Sequence, residues 1–192
     1  MGPIQESARV SKVAPVAPET GLASPLQAFF IDALQTMQDA ERQLTEALPQ
    51  LQQKATNNAL RTGFGKHLGE TLIHVQRLQK ALDFIGASVE TKPCRAMQAL
   101  IEEGMEQIES TPAGTALRDV ALVLAAQKTE HLEIATYGGL IQLAKMLGHK
   151  EIVGLLDANM KEEYGADKLL TLVAESGVNY TAAEEGTPQA AA

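Results

Sequence analysis

Apolar residues return every three to four positions along four long stretches of the chain, the spacing of helices with one buried face. The first stretch runs through Leu26, Phe29, Phe30, Ala33, Leu34, Met37, Leu44, Leu48 and Leu51, with Glu41 on the same stripe. Ser24 followed by Pro25 predicts its start, since the hydroxyl accepts from a free backbone N–H and the proline ring presets φ. Pro49 lacks a backbone donor and is expected to kink or interrupt the last turns. The second stretch, Leu60, Phe64, Leu68, Leu72, Val75, Leu78 and Leu82, follows a cap at Asn57 or Asn58 and stops at Gly86. The third runs from about Gly114 to Leu147, and the fourth from about Lys150 to Gly177. Between the second and third lies a shorter segment, about Pro93 to Glu109, which predicts a covering or crossover helix. The pair Gly138-Gly139 inside the third helix costs ~1 kcal/mol per glycine relative to alanine, and points to a close helix contact or a bend.

No stretch alternates as a strand does, and the chain is rich in Ala, Leu, Gln, Glu and Lys, so the fold class is all-α, a closed bundle of four long helices. Residues 1–24 hold three prolines among small and polar residues, and 178–192 lack periodicity; both are expected to be flexible tails on a helical domain spanning 25–177.

Charge and cysteine content narrow the setting. The formal net charge is −8 and no lysine-rich or arginine-rich run occurs, so no nucleic-acid partner is expected. No apolar run approaches the roughly 20 residues of a membrane span. Cys94 is the single cysteine and has no intrachain partner. A start lacking a basic segment and apolar block adds to the expectation of a cytoplasmic protein. Phosphate-cradling glycine loops and the Gly-x-Ser-x-Gly nucleophile turn are both missing from the sequence.

The chemistry lies in acids that share the apolar faces. A helix turns about 100° per residue, so Glu130, Glu133 and Tyr137 fall on one stripe of the third long helix. Glu41, Glu70 and Glu163 offer one acid from each of the other three. On the second helix His67, Glu70 and His74 share a face, and the spacing of Glu70 and His74 is repeated by Glu163 and Asp167 on the fourth, which suggests an approximate two-fold. Carboxylate oxygen and imidazole nitrogen suit two iron ions, or manganese, bridged by acids that cancel their charge. Without cations the buried acids would take up protons or swing out to water. Glu46, Glu102, Glu103, Glu106, Glu109, Glu151, Glu162, Glu175 and His149 are assigned to solvated faces. His131 is expected to hydrogen-bond outside the ligand set, and Tyr137 either packs in the core or donates to a ligating carboxylate.

At these residues the chain resembles the YciF and YciE stress-protein family, a branch of the ferritin-like superfamily. The likeness is carried by Asp39-Ala40-Glu41-Arg42-Gln43-Leu44, His67-Leu68-Gly69-Glu70-Thr71, Cys94-Arg95-Ala96-Met97, Glu130-His131-Leu132-Glu133-Ile134-Ala135-Thr136-Tyr137-Gly138, and Glu162-Glu163 with Asp167 and Leu170. It covers about 25–177, in order. The resemblance implies a ferritin-like antiparallel four-helix bundle with an additional short helix, a homodimer, and a dinuclear iron centre. The usual Glu-x-x-His pairs are altered, because Ile73 follows Glu70 at three and Ala166 follows Glu163. Glu70 therefore ranks ahead of His67 and His74 as a ligand. The expected function is a dinuclear metal-binding stress protein acting on peroxide or dioxygen, with no electron donor visible in the sequence. The rival from another class is a metal-free helical dimerisation module with its acids at the surface.

Overall fold

The structure, a computed structural model, describes residues 24–88, 90 and 92–185; the expected N-terminal tail and the last seven residues lie outside the described part, apart from Ser24. Its elements are α1 (Pro25–Lys54), α2 (Asn58–Phe84), α3 (Arg95–Glu109), α4 (Ala116–Met146), α5 (Lys150–Val173) and α6 (Asn179–Glu184), the last two joined by a widened turn over Ala174–Val178. Local chemistry fixes the ends. Ser24 Oγ accepts from Gln27 N at 3.1 Å, Asn57 Oδ1 from Ala59 N and Leu60 N at 2.8 and 3.1 Å, and Thr115 Oγ1 from Arg118 N at 3.2 Å. Gly86 and Gly148 close α2 and α4 with φ of 63° and 79°, values that a side chain would resist.

Short connections make α1 and α2 antiparallel neighbours, and α4 and α5 likewise. The two pairs close into a four-helix bundle through α2 against α5 and α1 against α4, while α3 lies across α4 and α1 as a cover. Asp119 on α4 locks the first hairpin, its carboxylate accepting from Thr56 N at 2.7 Å and Asn57 N at 2.8 Å. The core is one cluster running from Phe30 and Leu34 through Leu78, Leu82 and Leu122 to Leu156 and Val178.

Three expectations change. Helix α1 continues through Pro49 to Lys54: one i→i−4 bond is lost near the end, and buried Ala47, Leu48 and Leu51 hold the turn in place. Residues 178–185 do not begin as a loose tail. Val178 is buried in the core, α6 follows, and Glu185 accepts from Ala116 N at 2.8 Å and Leu117 N at 3.2 Å, capping α4 from a distance. Gly138 and Gly139 make no close contact, since a Cβ on either would meet no atom within 4 Å.

The close approach is at Gly104 of α3, where a Cβ would stand 2.9 Å from Ala125 Cβ. Gly104→Ala is therefore expected to destabilise by about 1–2 kcal/mol despite its better helix propensity, while Gly138→Ala stabilises by up to ~1 kcal/mol. Thermal melts of the two variants should move in opposite directions.

Candidate metal centre

On α2 the buried positions are 60, 64, 67, 71, 74, 78, 81 and 82, and on α5 they are 152, 156, 159, 163, 166, 170 and 173. These alternating steps of three and four make a narrow seam facing the bundle axis. His67, Thr71 and His74 occupy the α2 seam, and Asn159 and Glu163 the α5 seam. Glu41 stands fully buried between Met37 and Leu44 on α1, and Glu130 and Glu133 are buried on α4. Six of the eight sequence-predicted ligands thus meet in the interior.

They form two groups of potential ligand atoms, each within 4.8 Å of one another: His67, Glu130, Glu133 and Glu163 in one, Glu41, His74 and Glu163 in the other. Glu163 belongs to both. His67 Nε2 lies 3.3 Å from Glu130 Oε1 and 3.5 Å from Glu163 Oε2, and His74 Nδ1 lies 2.8 Å from Glu163 Oε1 and 3.3 Å from Glu41 Oε1. The last pair of approaches lacks the alignment of a hydrogen bond, so His74 Nδ1 counts among the unpartnered atoms.

Glu70 and Asp167 stand outside the cluster. Each is one position past a seam residue on its helix or one before it, about 100° off the axis. Glu70 is half-exposed, paired with Lys66, and its other oxygen is 3.6 Å from His67 Nδ1. His67 beside it and Lys66 hold its carboxyl down to about 2. Asp167 accepts from Gln127 Nε2 at 3.2 Å and lies 3.4 Å from exposed His131. That places His131 in a carboxylate contact away from the cluster. His149 is half-buried, stacked on Phe30 at 5.9 Å and bonded to Gln27.

Glu162, assigned from sequence to a solvated face, is instead the support of His74. Its Oε2 accepts from His74 Nε2 at 2.8 Å and from Arg77 at 2.5 Å, and Arg77 also donates to Oε1 at 3.2 Å. Although burial opposes it, Arg77 and His74 hold Glu162 below the usual carboxylate range. A carboxylate only accepts, so His74 carries a proton on Nε2, which leaves Nδ1 facing inward as the atom that could serve a cation. Arg77 donates also to Asn159 Oδ1 at 3.0 Å, Asn159 Nδ2 to the Tyr137 hydroxyl at 2.8 Å, and Tyr137 to Glu41 Oε1. Sequence reading left Tyr137 open between core packing and donation to a ligating carboxylate; it is buried in the core and donates to Glu41. Neither Arg77 nor Asn159 was given a role at the site from sequence, although Asn159 falls on the α5 seam, seven residues after Ile152 and four before Glu163.

The electrostatics test whether cations fit. Of ten buried side-chain atoms without a hydrogen-bond partner among the described residues, nine belong to Glu41, His67, His74, Glu130, Glu133 and Glu163. Buried polar atoms are ordinarily satisfied, and orphaned carboxylates are costly. Burial drives Glu41 up and Glu130 and Glu133 well above the ordinary value. Burial alone would lower His67 and His74, but the facing carboxylates raise them to about 9 and about 10. Two divalent ions would balance the four buried acids and give every orphaned atom type a partner. The residues fit two cations.

Protons replace cations when no metal is bound, and the sign of the pH dependence follows. The raised histidines contribute stability that is complete below 6.5 and is lost as pH rises through about 9 and about 10. The raised carboxylates act in the same direction above 4.5. Metal-stripped protein should therefore show a falling melting temperature from pH 6.5 to about 10; a flat or rising profile contradicts this.

Fold and centre together define a ferritin-like helical-bundle protein with a buried carboxylate–histidine cluster. Residues 25–183 match the family described as a domain of unknown function, DUF892, and the chain belongs to that family. It is 39% identical over 155 residues to Protein YciF of Escherichia coli, covering 80% of this chain and 93% of that protein. The crystal structure of the E. coli stress protein YciF superposes with a TM-score of 0.76, covering 80% of this chain and 97% of that one. YcfI from Rhodopseudomonas palustris is similar at a TM-score of 0.74 and 35% identity, again over 80% of this chain and 97% of that one. No helix among the described residues is long and apolar enough to cross a membrane.

Proposed function

We propose that this protein is a dinuclear metal-binding protein of stress defence, with two iron or manganese ions held in the bundle and redox chemistry on peroxide or dioxygen. The observation that carries the reading is the set of nine orphaned ligand atoms on six buried residues from four helices. Glu163 would serve both positions, with Glu130, Glu133 and His67 holding one ion and Glu41 and His74 the other. When bound, such ions supply paired electron transfer to an oxygen species. The chain's own part is positional: Glu162 orients His74, Tyr137 holds Glu41, and full burial keeps Glu41, Glu133 and Glu163 from bulk water. The stress role is carried over from YciF, which is described as a stress protein.

The reading includes a cytoplasmic setting and a homodimer. Leu26, Phe29, Phe84 and Met146 are exposed at the end of the bundle where α1 starts and α2 and α4 stop, an apolar surface that suits a second copy. The metal-free module was expected to carry its acids at the surface, and the burial of Glu41, Glu130, Glu133 and Glu163 favours the metal reading over it.

Elemental analysis of the protein after loading with iron(II) or manganese(II) and desalting tests the proposal. Two ions per chain and a raised melting temperature are expected. Retention of none, with an unchanged melt, would overturn it.

A further inference from the structure

A narrow gap opens between α2 and α5, with free space of about 20 Å³, room for about one or two water molecules. Its polar lining is Lys66, His67, Glu70 and Glu130. Side-chain exposure falls along the way in, from 64% at Lys66 and 19% at Glu70 to 6% at His67 and 3% at Glu130. The His67 ring spans that step. Its Nδ1 lies 3.6 Å from Glu70 Oε2 on the outer side, and its Nε2 lies 3.3 Å from Glu130 Oε1 and 3.5 Å from Glu163 Oε2 on the inner side. Both ring nitrogens lack a hydrogen-bond partner, as does Glu130 Oε2. A second space, between α1, α3 and α4, is lined by apolar residues and Thr129 and reaches none of the six buried ligands.

We propose that Glu70 is the entry residue for the divalent cations of the buried centre: it takes an ion from solvent, and the two nitrogens of His67 hand it on to Glu130 and Glu163. This rests on the metal reading above and adds the route by which the ions arrive. The gap is too small for an ion with its hydration shell, so water must be shed at the mouth. A carboxylate replaces water on a hard cation, and of the two lining carboxylates Glu70 is the one open to solvent. Further in, an unpartnered nitrogen or oxygen stands at each step, so the ion need not cross the apolar walls without a ligand. Lys66 opposes capture, because its ammonium is paired with Glu70 Oε1 and must swing aside on its flexible stem. Glu70 belongs to neither group of potential ligands, so it meets the ion in transit and not at rest. A residue that lowers the barrier without touching the bound ion changes entry and exit by the same factor and leaves affinity alone.

The test is the rate of manganese(II) uptake by the full chain, read by stopped flow against a fluorescent indicator, together with the rate of release to excess chelator. In Glu70→Gln both rates should fall about tenfold, the scale on which a charge-lined cleft changes ion capture, with two ions still held at saturation. Gly165 lines the mouth with no atom within 4 Å of where its Cβ would sit, so Gly165→Leu narrows the gap without a change of charge and should also slow both rates. Gly154→Leu, at an equally open site on α5 outside the gap, should leave them unchanged. Lys66→Gln should speed both, since the competing ammonium is gone. Slower uptake with faster release in Glu70→Gln would make Glu70 a support of the bound ions and overturn the inference, as would unchanged rates in Glu70→Gln or Gly165→Leu. A parent chain that takes up two ions at rates indifferent to Glu70 overturns the inference alone, whereas one that takes up no manganese(II) overturns the metal reading with it.

Discussion

Glu163→Gln is expected to empty both cation positions at once, the largest single effect on metal content that any substitution in the centre should have. Glu163 is the one residue that offers atoms to both groups, and an amide of the same shape cannot supply a bridging charge. Each position contributes linkage stabilisation of about 2.7 kcal/mol when free metal is a hundredfold above its dissociation constant. Loss of both is therefore worth roughly 5 kcal/mol under those conditions, or on the order of 10–20 °C in melting temperature for a chain of this size. In metal-free protein the effect should be much smaller, because Glu163 acts in two opposing ways: behind burial it helps to push Glu41, Glu130 and Glu133 up, and it supports His67 and His74. Melts with and without manganese(II), with metal counted by elemental analysis, separate the metal-linked loss from the metal-free one. Full metal retention in Glu163→Gln would remove the shared ligand from the centre. Glu70→Ala and Asp167→Ala are the matched controls, and both should keep two ions.

Those controls also mark where sequence and structure part. Helix periodicity, Ser24, Asn57 and the stopping glycines gave the four long helices nearly residue for residue, because capping and amphipathicity act locally. Glu41, Glu130, Glu133 and Glu163 were legible for the same reason, each continuing an apolar stripe. Glu70 and Asp167 were chosen for residue type and family spacing, and the seam overrules both. Steps of three and four on α2 pass through His67, Thr71 and His74, which turns Glu70 outward; on α5 they pass through Asn159, Glu163 and Ala166, which turns Asp167 outward. A stricter use of the seam would have ranked the two histidines above Glu70. Glu162 was out of reach of that rule. It sits off the seam, as a solvated residue does, and only the long reach of Arg77 across the α2/α5 boundary brings it to His74. The helical end after Gly177 was hidden in a similar way, since docking of Val178 and capping by Glu185 are contacts between distant parts of the chain.

Glu162→Ala should weaken one position and spare the other. The route Arg77, Asn159, Tyr137, Glu41 and the route Arg77, Glu162, His74 start at one guanidinium and end on the two ligands that belong to the second position alone. Nothing comparable holds His67, whose Nδ1 is 3.6 Å from Glu70. With Glu162 gone, the His74 ring is free to shift tautomer and rotate, and supports of this kind are typically worth 10–100-fold in metal affinity. Chelator competition on the two-ion protein should then show one ion per chain leaving about 10–100-fold more readily and the other unchanged. Glu162→Gln keeps an acceptor for Nε2 but loses the charge that binds Arg77, so it should fall between the parent and the alanine variant. Because Glu162 is only half-buried, neither substitution opens a cavity in the core, and a merely structural role would lower melting temperature without splitting the two ions. Equal weakening of both ions in Glu162→Ala would mean that the hydrogen-bonded circuit serves the bundle as a whole and does not single out the His74 position.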